Sequence, residues 1–94
     1  MTWQVYIVRC ADGSFYTGIT TDVARRVAEH NGTGRAGARY TRARRPVVLV
    51  YQEAATNRSE AGRREYQIKQ LTRREKLKLV ALRRRRKLSP ARSG

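Results

Sequence analysis

Alternating apolar and polar positions mark the first twenty residues as a β-hairpin. Residues 3–10 (WQVYIVRC) and 14–20 (SFYTGIT) are rich in Val, Ile, Tyr, Phe and Thr, with Ala11-Asp12-Gly13 between them. A two-residue Asp12-Gly13 loop would put Tyr6 and Tyr16 on opposite faces. A three-residue loop with Gly13 in the left-handed region pairs Cys10 with Ser14, Val8 with Tyr16 and Tyr6 with Gly18. The hydrophobic pattern selects the longer loop, because a slip of one residue turns every side chain to the other face. Trp3, Val5, Ile7, Phe15, Thr17 and Ile19 then form one core face. Gln4, Tyr6, Val8, Tyr16 and Gly18 form a mixed, more polar face, on which Gly18 leaves open space beside Tyr6.

The pattern then changes to helical spacing. Thr20, Thr21 and Asp22 are N-cap residues for a helix over about 22–31, with Val23, Ala24, Val27 and Ala28 as its apolar stripe and Gly32 as its stop. Arg25 and Glu29 make an i,i+4 pair on it; Arg26 and His30 share another stripe. Residues 31–45 (NGTGRAGARYTRARR) lack an apolar period and read as a mobile basic loop. Residues 46–53 (PVVLVYQE) carry apolar side chains on both faces and read as the central strand. A helix follows from Asn57 or Ser59 to Leu71. Thr72-Arg73-Arg74-Glu75 is a capping box that opens another, running to about Leu82 with Leu77, Val80 and Ala81 inward. The order β-β-α-β-α-α is that of an α+β domain: a small three-stranded antiparallel sheet flanked by helices over residues 1–82. Residues 83–94 (RRRRKLSPARSG) read as a disordered basic tail.

Charge narrows the partner. The 94 residues hold 22 Lys and Arg against 7 Asp and Glu, a formal net charge of +15. Such a surface fits a polyanion, and nucleic acid first, since each cation placed at a phosphate releases a counterion. Arg25, Arg35, Arg39, Arg42, Arg44, Arg45 and Lys69 are the candidate backbone contacts. No apolar run is long enough to span a membrane. The lone Cys10 reads as packing in a reducing, cytoplasmic setting, and with a single histidine Cys/His metal chemistry is excluded.

Several side chains stand apart from that charged background. Tyr6 and Tyr16 share a face. His30, one turn after Arg26, is the residue type best matched to proton transfer near neutral pH. Glu65 falls four after Ala61 and three before Ile68, beside an inward stripe, where a carboxylate is costly unless paired or bound to a metal. Its bland reading is an i,i+4 pair with Lys69. Together these suit phosphodiester hydrolysis: an arginine to stabilise charge on the phosphate, one carboxylate for a hard divalent ion, and a Tyr or His to take a proton from water.

Val5-Tyr6, Tyr16-Thr17-Gly18, Arg26 in the D-V-A-R-R run and Glu65 in a later helix resemble the GIY-YIG nuclease superfamily, across roughly residues 3–82. The closest likeness is to its small stand-alone bacterial members. The first motif reads Gln4-Val5-Tyr6 rather than Gly-Ile-Tyr, and Thr17 stands in place of Ile. The resemblance implies a metal-dependent DNA endonuclease, structure-specific and linked to DNA repair, using a single Mg2+ or Mn2+. In it Tyr6, Tyr16, Arg26 and His30 are catalytic, Glu65 holds the metal and Gly18 belongs to the second motif. These side chains are expected to converge on one exposed, basic concavity. The alternative is a non-catalytic DNA- or RNA-binding protein, and a third expectation is a nuclease that needs a protein partner for targeting.

Overall fold

A computed structural model of the protein describes residues 2–32 and 38–88, with backbone alone from 83 onward. Strands β1 (Trp3–Arg9) and β2 (Phe15–Thr20) are followed by helix α1 (Val23–Asn31) and a one-turn helix α2 (Arg39–Arg42). Strand β3 (Val48–Ala55) then leads into α3 (Arg58–Lys69) and α4 (Arg73–Leu88). The three strands form an antiparallel sheet in the order β2-β1-β3.

The hairpin has the three-residue loop. Tyr6 pairs with Gly18 and Val8 with Tyr16. The Cys10 amide donates to the Ser14 carbonyl at 2.8 Å, and the Gly13 amide to the Cys10 carbonyl at 2.9 Å. Gly13 has φ 86°, which an L side chain rarely adopts. Asp12 Oδ1 accepts from the Ser14 amide at 3.0 Å and from its hydroxyl at 2.6 Å, so the turn residues fix the register themselves.

Both faces of the sheet are covered. Val5 and Ile7 pack with Ala61, Ile68 and Val80, joined by Trp3, Phe15 and Ile19. The opposite face is less polar in its surroundings than expected. Tyr6, Val8, Cys10 and Val47 form a second core, closed by Tyr16 and by Val23 and Val27 of α1. Ala24 and Ala28, expected inward, are exposed. Asp22 caps α1 by accepting from the Arg25 amide at 3.0 Å. The expected Arg25–Glu29 pair is replaced: Arg25 lies 4.0 Å from Asp22, and Glu29 takes Arg26 at 2.9 Å. One turn of helix brings residues three apart as near as residues four apart, so the half-buried Arg26 wins the carboxylate.

The central strand is β1, and β3 is an edge strand with Val48 and Leu49 exposed. A bulge explains the misreading. The pairing jumps from Ile7–Tyr51 to Val8–Leu49, leaving Val50 unmatched and changing the phase of the strand. The consecutive apolar residues therefore signal a phase change on an edge strand, which sends Val47 to one core and Val50 and Tyr51 to the other. Of the basic stretch 31–45, residues 33–37 lie outside the described residues, and the part after them is more ordered than a mobile loop. Residues 39–42 make α2, and Asn31 clamps Val47, accepting from its amide at 2.7 Å and donating to its carbonyl at 3.0 Å.

Asn57 caps α3, and the Thr72/Glu75 capping box opens α4. The Thr72 amide meets the Glu75 carboxylate at 2.8 Å, and the Glu75 amide meets the Thr72 hydroxyl at 3.1 Å. Along α4, Val80 and Leu79 turn inward, while Leu77 and Ala81 are exposed. The helix rotates onto the 76/79/80 stripe rather than 77/80/81. It also continues to Leu88, past the expected end near Leu82, because the Arg and Lys run is a good helix former with no breaker before Pro90. The expected tail is thereby shortened, and residues 89–94 lie outside the described chain.

Candidate functional site

Tyr6 stands on the central strand, and its ring crosses over Gly18 of β2. A Cβ at position 18 would lie 2.6 Å from the Tyr6 hydroxyl oxygen and 2.8 Å from Cζ. The space beside Gly18 is thus filled by the Tyr6 phenol itself. Tyr6 is 1% exposed. Burial, and next the neighbouring Tyr16, push its pKa up to about 12, against the pull of Arg26.

His30, in the last turn of α1, is fully buried. Its Nε2 is 2.8 Å from the Tyr6 hydroxyl and its Nδ1 is 2.7 Å from Thr41 Oγ1. Burial, and next the cation of Arg26, lower its pKa, so the imidazole is neutral at neutral pH. Tyr16 meets the imidazole edge-on, with ring centroids 5.3 Å apart, and stacks on Tyr40 at 5.9 Å. Arg44 lies over the Tyr40 ring, 3.9 Å from its centroid.

Arg26 hydrogen-bonds to the Tyr6 hydroxyl, and its Nη1 holds Glu29 at 2.9 Å. Burial works against its cation, but the Glu29 carboxylate and the Tyr6 hydroxyl more than offset it, and its pKa is raised. About a quarter of the Arg26 side chain remains exposed. Glu65, on α3, is 24% exposed and pairs with Lys69 at 3.1 Å. Helix α3 packs on the face of β1 and β2 that carries Val5 and Ile7, and Glu65 is the weakest of the influences on the Tyr6 hydroxyl. Tyr16, Arg26 and His30 therefore gather around one phenol, while Glu65 pairs with Lys69. The expected open concavity is corrected: Tyr6 and His30 are buried, and only Tyr16, Arg26 and Glu65 reach the surface.

Among the described residues no group of three or more His, Cys, Asp or Glu forms a metal cage. A lone, partly exposed carboxylate does fit a hard divalent ion that keeps most of its waters. Glu65 is the residue here that would hold one, after parting from Lys69.

The basic candidates divide by what they touch. Arg39 and Arg42 are exposed. Arg44 is structural: its Nε meets Asp12 at 3.0 Å and its Nη1 the Tyr40 carbonyl at 2.9 Å. Arg45 Nε caps the His30 carbonyl at 2.7 Å. Arg35 lies outside the described residues. Sequence reasoning missed Thr41, Tyr40 and Glu29. Only a buried polar residue within a four-residue helix could have pointed to Thr41, and such a helix has no period to read.

A tyrosine pair on a three-stranded sheet, with an arginine from one flanking helix and a glutamate from another, is the arrangement of a small catalytic module. The model of the GIY-YIG catalytic domain matches residues 2–78, and the chain belongs to the GIY-YIG family, a nuclease superfamily. Within it the chain is similar to small UPF0213 proteins. It is 63% identical over 78 residues to one from Desulfotalea psychrophila, covering 83% of this chain and 70% of that one. It is 58% identical over 76 residues to one from Staphylococcus haemolyticus, covering 81% and 90%. The solution NMR structure of a UPF0213 protein from Bacillus halodurans matches with a TM-score of 0.55 at 50% identity, covering 87% of this chain and 85% of that chain. No helix among the described residues is long and apolar enough to cross a membrane.

Proposed function

We propose that the protein is a metal-dependent DNA endonuclease that hydrolyses phosphodiester bonds in branched, nicked or single-stranded DNA, as repair requires. The observation that carries this reading is the convergence of Arg26, His30 and Tyr16 on the single Tyr6 hydroxyl. In this reading the phosphate lies at the surface formed by Arg26, Tyr16 and Glu65. Water attacks phosphorus, a new P–O bond forms, and the bond to the leaving oxygen breaks. The water proton passes to the Tyr6 oxygen as the Tyr6 proton passes to His30 Nε2. The leaving oxygen later takes a proton from solvent. With its pKa pushed up to about 12, Tyr6 is a poor resident phenolate, so relaying a proton to a neutral imidazole costs less than ionising first. Arg26 stabilises the charge that grows on the phosphate oxygens. A divalent ion held at Glu65 would supply further stabilisation of that charge.

Branched, nicked, single-stranded and linear DNA, incubated with Mg2+ or Mn2+, test the reading. Wild type should cut at least one, and Arg26→Ala and Glu65→Ala should bind without cutting. A wild type that binds tightly but cuts none of these, nor RNA, leaves a non-catalytic nucleic-acid binder. The charge of +15 and the exposed Arg39 and Arg42 fit that second reading as well as the first. A cytoplasmic setting is part of the proposal.

A further inference from the structure

Thr41 is fully buried and touches His30 from the side opposite Tyr6. Neither α2 nor this contact enters the hydrolytic scheme above, yet the contact decides which way a proton can run. A neutral imidazole has one N–H and one bare nitrogen. If Nε2 carried the hydrogen, the Tyr6 oxygen would accept from both His30 and Arg26. Its own buried O–H would then have no acceptor among the described residues. Such a donor is rare and costly. If Nδ1 carries the hydrogen instead, the three side-chain donors are all matched. The Tyr6 O–H donates to Nε2 at 2.8 Å, Nδ1–H to Thr41 Oγ1 at 2.7 Å, and the Thr41 O–H to the Ala38 carbonyl at 3.0 Å. This tautomer gives up the Ala38 amide's contact with Nδ1, which at 3.5 Å is weak beside the 2.7 Å contact to Thr41.

We infer that Thr41 is a positioning residue, which holds His30 as the Nδ1–H tautomer and so keeps Nε2 bare to receive the Tyr6 proton. The role rests on the nuclease reading only for its effect on rate; the tautomer itself does not. The groups that face His30 are Tyr6 from β1, Tyr16 from β2, Arg26 and Glu29 from α1, and Arg45 from the segment after α2. None of these offers Nδ1 an acceptor.

The chain has one histidine, so its imidazole nitrogen resonances are unambiguous. Long-range 1H–15N spectra of the full chain at neutral pH should show a protonated Nδ1 and a bare Nε2 in the wild type and in Thr41→Ser. Thr41→Val, which keeps the shape and removes the oxygen, should lose that preference. Cleavage by Thr41→Val should fall by roughly 10²-fold, the low end of what a positioned acid–base group contributes. Thr41→Ser should restore the rate and the acid limb of its pH profile. A protonated Nε2 in the wild type overturns the inference even if Thr41→Val does not fold. So does a tautomer unmoved by Thr41→Val. A wild type that cuts nothing but shows the Nδ1–H tautomer removes the nuclease reading and leaves the tautomer assignment standing.

Discussion

Replacing Gly18 by alanine adds one methyl at the most crowded point of the site. The new Cβ would lie 2.6 Å from the Tyr6 oxygen, 2.8 Å from Cζ and 3.0 Å from Cε1, where ordinary contacts begin at 3.4 Å. The ring would have to retreat by about 0.8 Å. It has little freedom to do so, since it is buried between β2 and α1 and its hydroxyl is tied to His30 at 2.8 Å. Overpacking of this kind costs about 1–3 kcal/mol. Breaking the buried hydrogen bond adds about 1–3 kcal/mol. At about 4–8 °C per kcal/mol for a domain of this size, a loss of ~2 kcal/mol lowers Tm by about 8–16 °C. Circular-dichroism melts of wild type, Gly18→Ala, Tyr6→Phe and the double variant form a cycle. Tyr6→Phe removes the nearest atom but leaves the ring carbon, so the alanine should cost less in that background, with a coupling of about 1 kcal/mol. A Gly18→Ala protein within about 0.5 kcal/mol of wild type would refute the reasoning, as would additive effects in the cycle.

Three further outcomes follow from the same geometry. His30 has its pKa lowered from 6.5, so the unfolded chain binds its proton first as pH falls; stability should be full above 6.5 and decline below it. Urea midpoints between pH 8 and 5 should slope less in His30→Gln, and equal slopes would remove His30 as the cause. For DNA binding, Arg39→Ala and Arg42→Ala should each lower the slope of log Kd against log salt by about 0.9 while leaving Tm near wild type. Arg44→Ala should instead lower Tm, because that guanidinium holds Asp12 and covers Tyr40. Lys69→Met should free Glu65 and reduce the Mg2+ needed for half-maximal cleavage by about twofold, the worth of an i,i+4 ion pair. Weaker DNA binding with unchanged Mg2+ dependence would assign Lys69 to the phosphate backbone.

What the sequence disclosed was local. The three-residue turn, the Asp22 and Asn57 caps and the Thr72/Glu75 capping box all act within four residues of themselves, and each stands where expected. The hairpin register came with them, because alternation and turn length agreed. The misreadings arose where distant segments meet. The edge position of β3 depends on which strand lies between the others, and its bulge breaks the alternation that would have signalled it. The second core depends on α1 packing over Tyr6, which turned an expected open face into a closed one. For the same reason Tyr6, Arg26, His30 and Glu65 could be named as residues, but their depth could not. Thr41 is reached from His30 only across the intervening basic segment.

The position of β1 also orders the assembly of the molecule. The central strand is made first and its second neighbour, β3, only some forty residues later along the chain. During synthesis the β1–β2 hairpin therefore emerges with two apolar faces and one open edge. α1 can shield one face early, but the edge waits for β3 and the other face for α3. Unpaired edges of this kind are where nascent chains join to one another. The part of the chain made before β3 holds 8 arginines against 3 acidic residues, and this excess positive charge repels such encounters while the sheet is incomplete. A ribosome-bound chain arrested before residue 48 should accordingly be the form most sensitive to added salt.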